Sequence, residues 1–113
     1  MTKKAIRIYI SGPISGQNPE ECVKRFEEAE QLLTGLGYRV FNPKKNGLPE
    51  DAGTHKHMHR DLAELTNEED PFDAIYMMRR WTHSKGCKVE FDVATAIGLK
   101  VLFEESGELV KFE

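Results

Sequence analysis

AIRIYISGPISGQNPEECVKRFEEAEQLLTGLGYRVF, residues 5–41, reads as one strand–loop–helix–strand unit, and that reading sets the class of the fold. Ala5 to Ile10 is a β-branched, largely apolar run that predicts a first strand. It opens into Ser11-Gly12-Pro13-Ile14-Ser15-Gly16, a loop of small residues. Asn18 is placed to cap the helix that follows, with Pro19 at its first position and Glu21 closing a capping box. Cys22, Phe26, Ala29, Leu33 and Leu36 recur at spacings of four and three as an inner stripe, and Gly37 stops the helix. Tyr38 to Phe41 predicts a second strand, ended by Asn42-Pro43.

The same alternation continues downstream. Lys44 to Gly53 is polar, carries two glycines and a proline, and reads as a loop. His55 to Leu65 predicts a second helix with Met58, Leu62 and Leu65 facing inward. After the turn signal Asp70-Pro71, Phe72 to Met77 predicts a third strand. Met78 to His83 connects it to a third helix capped by Ser84, and Lys100 to Phe103 predicts a fourth strand. Leu109 to Phe112 is long enough for a short fifth. Strands alternating with helices imply right-handed crossovers and one α/β domain over residues 1–113, a doubly wound parallel sheet with helices on both faces. Ligands bind such sheets outside the carboxyl ends of the strands. Three stretches meet there: the Ser11–Gly16 loop, the Met78–His83 loop and the first two turns of the Ser84 helix.

Composition narrows the partners. The 113 residues, 31% charged and 39% hydrophobic, suit one globular domain. A net charge of −3 without a basic stripe lacks the footprint of a nucleic-acid polymer binder. Single nucleotides need only a few local contacts and stay in play. Neither an apolar leader nor a membrane-spanning run is present. Cys22 and Cys87 stand far apart without a CxxC pair, so a reduced, cytoplasmic setting is expected.

One acidic residue breaks the pattern of its helix. In SKGCKVEFDVATAIG, residues 84–98, Cys87, Val89, Val93, Ala94, Ala96 and Ile97 form one apolar arc at about 100° per residue. Glu90 falls in its middle. A carboxylate withdrawn from water costs several kcal/mol unless compensated, so Glu90 is either paired structurally or kept for chemistry. Asp61 flanks the inner stripe of the second helix, where it either projects into the crevice or pairs with Arg60 or Lys56. Tyr9, toward the end of the first strand, either packs in the core or turns its phenol to the crevice. Arg79, Arg80 and Trp81 either hold a phosphate and stack on a base or form a solvated rim. The glycine loop suits a phosphate or sugar oxygen but matches neither Walker nor GxGxxG spacing. His55 and His59 have the spacing of a helical metal pair, but no third ligand is evident, so no metal or other cofactor is expected.

Taken together, IYISGPISG, HRDLAEL, DAIYM and SKGCKVEFDVATAIG resemble the nucleoside 2-deoxyribosyltransferase superfamily, including its 2′-deoxynucleoside 5′-phosphate N-hydrolases. The resemblance spans most of the chain and is nearest a small branch found in phages and bacteria. It implies a flavodoxin-like (Rossmann-like) sheet of four to five strands. It implies that Glu90 is the nucleophile at the anomeric carbon of 2-deoxyribose, that Tyr9 orients it, and that Asp61 protonates the departing base. Ser11, Gly12, Ile14 and Gly16 of the loop, with Trp81, Ser84 and Gly86, become the candidate substrate contacts. Ser84 stands where the nucleotide hydrolases place a phosphate-binding serine.

Two departures qualify the pattern. Ser15 replaces an arginine of those hydrolases, so phosphate binding would fall to Arg79, Arg80 or a neighbouring subunit. Gly107 to Glu113 offers little of the segment that family members lend to a partner's site, although a homodimer or larger homo-oligomer is implied. Three readings therefore stand open: an N-glycosidase or deoxyribosyltransferase acting on a small nucleoside or nucleotide, a non-catalytic nucleotide-binding module, or a domain in which Glu90 is a structural ion-pair partner.

Overall fold

A computed structural model describes residues 5–104 as a four-stranded, wholly parallel sheet in the order β2-β1-β3-β4. Its elements are β1 (Arg7–Ser11), α1 (Pro19–Gly35), β2 (Arg39–Phe41), α2 (Thr54–Leu65), β3 (Ala74–Met77), α3 (Lys85–Ala96) and β4 (Lys100–Phe103). Tyr9 is in register with Phe41 on one side and Ile75 on the other, so β1 is central. The expected fifth strand, Leu109 to Phe112, lies outside the described residues.

Strand pleating sorts the side chains. Ile8 and Ile10 of β1, with Ala74, Tyr76 and Leu102, face α1 and pack on Cys22, Phe26, Ala29 and Leu33. The alternate residues Tyr9, Ile75 and Met77 face the other way, against Leu65 of α2 and Cys87 and Ala94 of α3. Helices thus cover both faces, as the alternation predicts. Local signals act where expected: Asn18 Oδ1 accepts from Glu21 N at 3.1 Å, and Ser84 Oγ accepts from Cys87 N at 3.2 Å. Gly37, at φ +94°, follows the C-cap of α1, and Tyr38 N donates back to Leu33 O.

Several expectations are corrected. Leu36 is the α1 C-cap and half exposed, because the helix ends one residue before it and its stripe stops at Leu33. The polar stretch after β2 is more ordered than a plain loop: Pro43–Lys45 and Glu50–Ala52 form 3-10 turns, the first capped by Asn42. Trp81–His83 forms a third such turn. On α3 the apolar arc is wider than the sheet can cover, and Val89, Ala96 and Ile97 remain exposed.

β1 pairs with β2 and β3 on opposite sides, so successive crossovers diverge from its carboxyl end and leave a crevice there. Gly12, the first residue after β1, is required by close approach. A Cβ built there would lie 2.5 Å from Met78 Sδ and 3.0 Å from Phe26 Cζ. Gly12→Ala is expected to destabilise the fold by about 1–3 kcal/mol through overpacking, measured by chemical denaturation. A neutral effect would show that the loop relaxes freely.

Candidate functional site

The crevice is a cavity of about 750 Å³, within the range of small-molecule sites. Its walls come from the loop after β1, the segment after β2, the exposed edge of α2, and the start of α3. Of the sequence candidates, Gly12, Ile14, Asp61, Ser84, Gly86 and Glu90 line it. Tyr9 and Ser11 lie behind the wall, fully buried, and reach the site through Glu90.

Glu90 is on the second turn of α3 and only 7% exposed. Tyr9 and Ser11 are two residues apart on β1, so both side chains project from the face that α3 covers. The Tyr9 hydroxyl donates to Glu90 Oε2, and Ser11 Oγ donates to Oε1 at 2.8 Å. The carboxyl is thus held at both oxygens by hydroxyls. Burial pushes its pKa up to about 7; the Tyr9 and Ser11 hydrogen bonds oppose this, and the charge of Asp61 adds to it. Burial, then the neighbouring Glu90 and Asp61 charges, hold the Tyr9 phenol well above its usual range, so it remains a donor.

The tyrosine ring is fixed by aromatic packing. It stacks on Phe41 at 5.3 Å and meets Phe72 edge-on at 5.5 Å. Arg7, two residues earlier on β1, lies over the Phe72 ring at 4.0 Å and pairs with Glu64 of α2 at 2.5 Å. This ties the end of α2 to β1, and Asp61, three residues before Glu64, sits one turn nearer the cavity.

Asp61 is 6% exposed. Neither Arg60 nor Lys56 is its hydrogen-bond partner; Asn46 Nδ2 donates to Asp61 Oδ1 at 2.9 Å. Burial raises its pKa, while the Asn46 hydrogen bond and the Arg60 charge pull it down. Two buried carboxyls, both displaced upward, therefore face one cavity.

Other candidates fall elsewhere. Trp81 does not line the cavity: its indole stacks on Phe91 at 4.8 Å and lies near Phe103, partly buried against the α3 side of the core. Gly16 is likewise outside the lining; its φ of +78° serves the turn into α1. Ser11, expected as a substrate contact, is instead a Glu90 partner. Arg80 reaches the cavity wall and Arg79 does not. His55 and His59 are exposed, whereas His57 lines the cavity. Sequence reasoning missed Asn46. Asn46-Gly47 signals only a turn, and nothing along the chain states which helix faces it.

Charge placement yields a stability test. Because burial raises the Glu90 pKa from 4.5 to about 7, the folded state holds a proton that the unfolded chain releases. The contribution is present below the unfolded value and lost as pH rises through about 7, amounting to about 3 kcal/mol. Glu90→Gln is expected to match wild type near pH 5 and to exceed it by about that amount near pH 8.5 in denaturant titrations. A structural ion pair would give the opposite sign, with the variant strongly destabilised at neutral pH.

The comparisons agree with this architecture. A solved structure of a 2-deoxyribosyltransferase from the psychrotolerant bacterium Bacillus psychrosaccharolyticus is similar at a TM-score of 0.64 and 24% identity, over 93% of this chain and 77% of that one. That likeness bears on the fold, which is nucleoside 2-deoxyribosyltransferase-like. No curated protein matches the chain. A family described as a domain of unknown function, DUF4406, matches residues 6–103, and the chain belongs to that family.

Proposed function

We propose that this protein cleaves or transfers the N-glycosidic bond of deoxynucleosides or deoxynucleoside monophosphates, with Glu90 as nucleophile. The observation that carries the reading is a buried carboxyl, engaged by two hydroxyls, on the wall of a nucleoside-sized cavity with a second buried carboxyl. The resemblance to deoxyribosyltransferases and the shared fold support it.

Breaking a glycosidic bond builds positive charge on the sugar, which an ionised Glu90 stabilises and then traps. A Glu90 oxygen bonds to C1′ as the C1′–N bond breaks; that electron pair stays on the base nitrogen, which takes a proton from Asp61. The anionic Asp61 next removes a proton from water, whose oxygen attacks C1′ and releases Glu90, giving hydrolysis. An incoming base nitrogen in place of water gives transfer. Tyr9 orients the carboxylate throughout.

The competent state has Glu90 ionised and Asp61 protonated, one proton shared by the pair. Its concentration falls when both are protonated and again when both are ionised, so a bell-shaped rate profile follows. The alkaline limb is expected near pH 7, where the pair loses its last proton. A phosphate would lie toward Ser84 and Lys85 at the start of α3 and Arg80 before the Trp81–His83 turn, all of which line the cavity.

The test is release of free base from deoxynucleosides and their monophosphates, followed by chromatography across pH. Wild type is expected to release base, Glu90→Ala to lose more than about a thousandfold, and Asp61→Asn about 10²–10⁴-fold. Tyr9→Phe is expected to move the alkaline limb upward by about one unit or more, because it removes a hydrogen bond to the charged form. Ligand-dependent thermal stabilisation without base release would instead establish a binding module.

A homo-oligomer belongs to the same proposal. Val89, at the rim of the cavity, and Ile97, with Ala96 beside it, leave an exposed apolar strip along α3. Ile97→Lys is expected to lower the mass measured by light scattering, and a monomeric wild type would refute the assembly.

A further inference from the structure

We propose that Asn46 and His57 are positioning residues for Asp61, fixing which of its oxygens carries the proton given to a leaving base; this rests on the glycosidic reading above. The inference comes from a chain of hydrogen bonds whose polarity can be settled at every link.

It begins at Pro49. His57 Nε2 is 3.0 Å from the Pro49 carbonyl oxygen, which can only accept, so Nε2 carries a hydrogen. In the neutral ring Nδ1 is then a bare acceptor. Asn46 Nδ2 lies 3.1 Å from it and donates. The same Nδ2 donates its other hydrogen to Asp61 Oδ1 at 2.9 Å. Asn46 Oδ1 accepts from Leu48 N at 3.0 Å, which fixes the amide against a flip. Asn46 is 8% exposed and held at the end of the Pro43–Lys45 turn, so the amide has little freedom to leave.

The consequence falls on Asp61. An N–H pointed at Oδ1 is accepted better by a carbonyl oxygen than by a hydroxyl, so neutral Asp61 favours its proton on Oδ2. The hydrogen-bond route from His57 to Asp61 runs through Asn46: the lone pair at Nδ1 holds the amide with the second hydrogen on the carboxyl. Without that acceptor, rotation of the amide would leave Oδ1 as able to hold the proton as Oδ2. The acid would then deliver from two geometries, only one of which suits a given base. His57 and Asp61 are four residues apart on α2 and share a face, so a single helix carries the acid and the support of its clamp.

The test is the titration midpoint of Asp61, read from carboxyl ¹³C resonances of labelled protein and assigned with Asp61→Asn. This readout needs no turnover. Asn46→Ala is expected to raise the midpoint by about one to two pH units, since a hydrogen bond to the charged form is lost. His57→Leu is expected to raise it less, His57→Asn to restore it by supplying an acceptor near the Nδ1 position, and His57→Leu to add nothing in the Asn46→Ala background. If Asn46→Ala does not fold, Asn46→Ser replaces it, keeping an acceptor for Leu48 but no amide donor. An unmoved midpoint, or a His57 effect that persists in full without Asn46, overturns the inference. In base-release assays both variants are expected to lower kcat more than they change KM. A wild type that releases no base, with midpoints that still shift, would overturn the glycosidic reading alone.

Discussion

The Glu90 carboxyl, buried and held between two hydroxyls, is the constraint that organises the rest of this molecule. A carboxylate paired with a cation inside a protein is quiet: its charge is cancelled and its lone pairs are occupied. Hydroxyls do something different. Tyr9 and Ser11 direct hydrogens at the carboxyl and favour its ionised form, yet leave its net charge in place. Burial acts in the opposite sense and wins by enough to bring the group to about 7. The outcome is a group that is ionised in a useful fraction near neutrality while remaining poorly solvated, the combination expected of a carboxylate nucleophile.

That arrangement depends on strand pleating more than on any loop. Because β1 is central and its odd-numbered residues share one face, Arg7, Tyr9 and Ser11 line up beneath α2 and α3. Arg7 binds Glu64 of α2, whereas Tyr9 and Ser11 bind Glu90 of α3. One strand therefore sets the position of both acid-bearing helices. A register slip of a single residue would turn Ile8 and Ile10 toward Glu90 and leave the carboxyl without donors. The Phe41, Tyr9 and Phe72 rings, with Arg7 against the last, keep the phenol from swinging away.

Much of this was legible in the chain, for reasons tied to the range of each interaction. Strand, loop and cap signals around residues 5–41 are local, and β1, α1 and β2 follow them within one or two residues. Glu90 stood out because helical periodicity alone places it among apolar neighbours. Ser11 reads as a loop residue because β1 runs one residue further than its apolar run; sheet pairing with Met77 extends it. Trp81 misled for a related reason. An aromatic beside two arginines resembles a stacking site until Phe91 and Phe103, distant in sequence from one another, supply the rings it packs on. Asn46 is invisible along the chain, since its meaning is a contact with a side chain fifteen residues away.

The two carboxyls also explain why the segment between β2 and α2 is built as tightly as it is. A lone buried acid would need only a cavity, but in the proposed reaction an acid that gives its proton to a base has to keep it on a chosen oxygen. Two short 3-10 turns, an Asn42 cap, the Lys44–Glu50 pair and the Asn46 amide hold this stretch against α2. Its order is local and costs backbone entropy that a plain loop would keep. The return lies in geometry: Asp61 is placed by its helix through Arg7 and Glu64 at one end, and by the β2–α2 segment at the other. Rigidity thus gathers around Asp61 and Glu90, while Val89 and Ile97 stay exposed on the same α3 that bears Glu90. A surface that covered that strip would press on the helix that carries Glu90, so in the proposed enzyme assembly and reactivity would meet in one element.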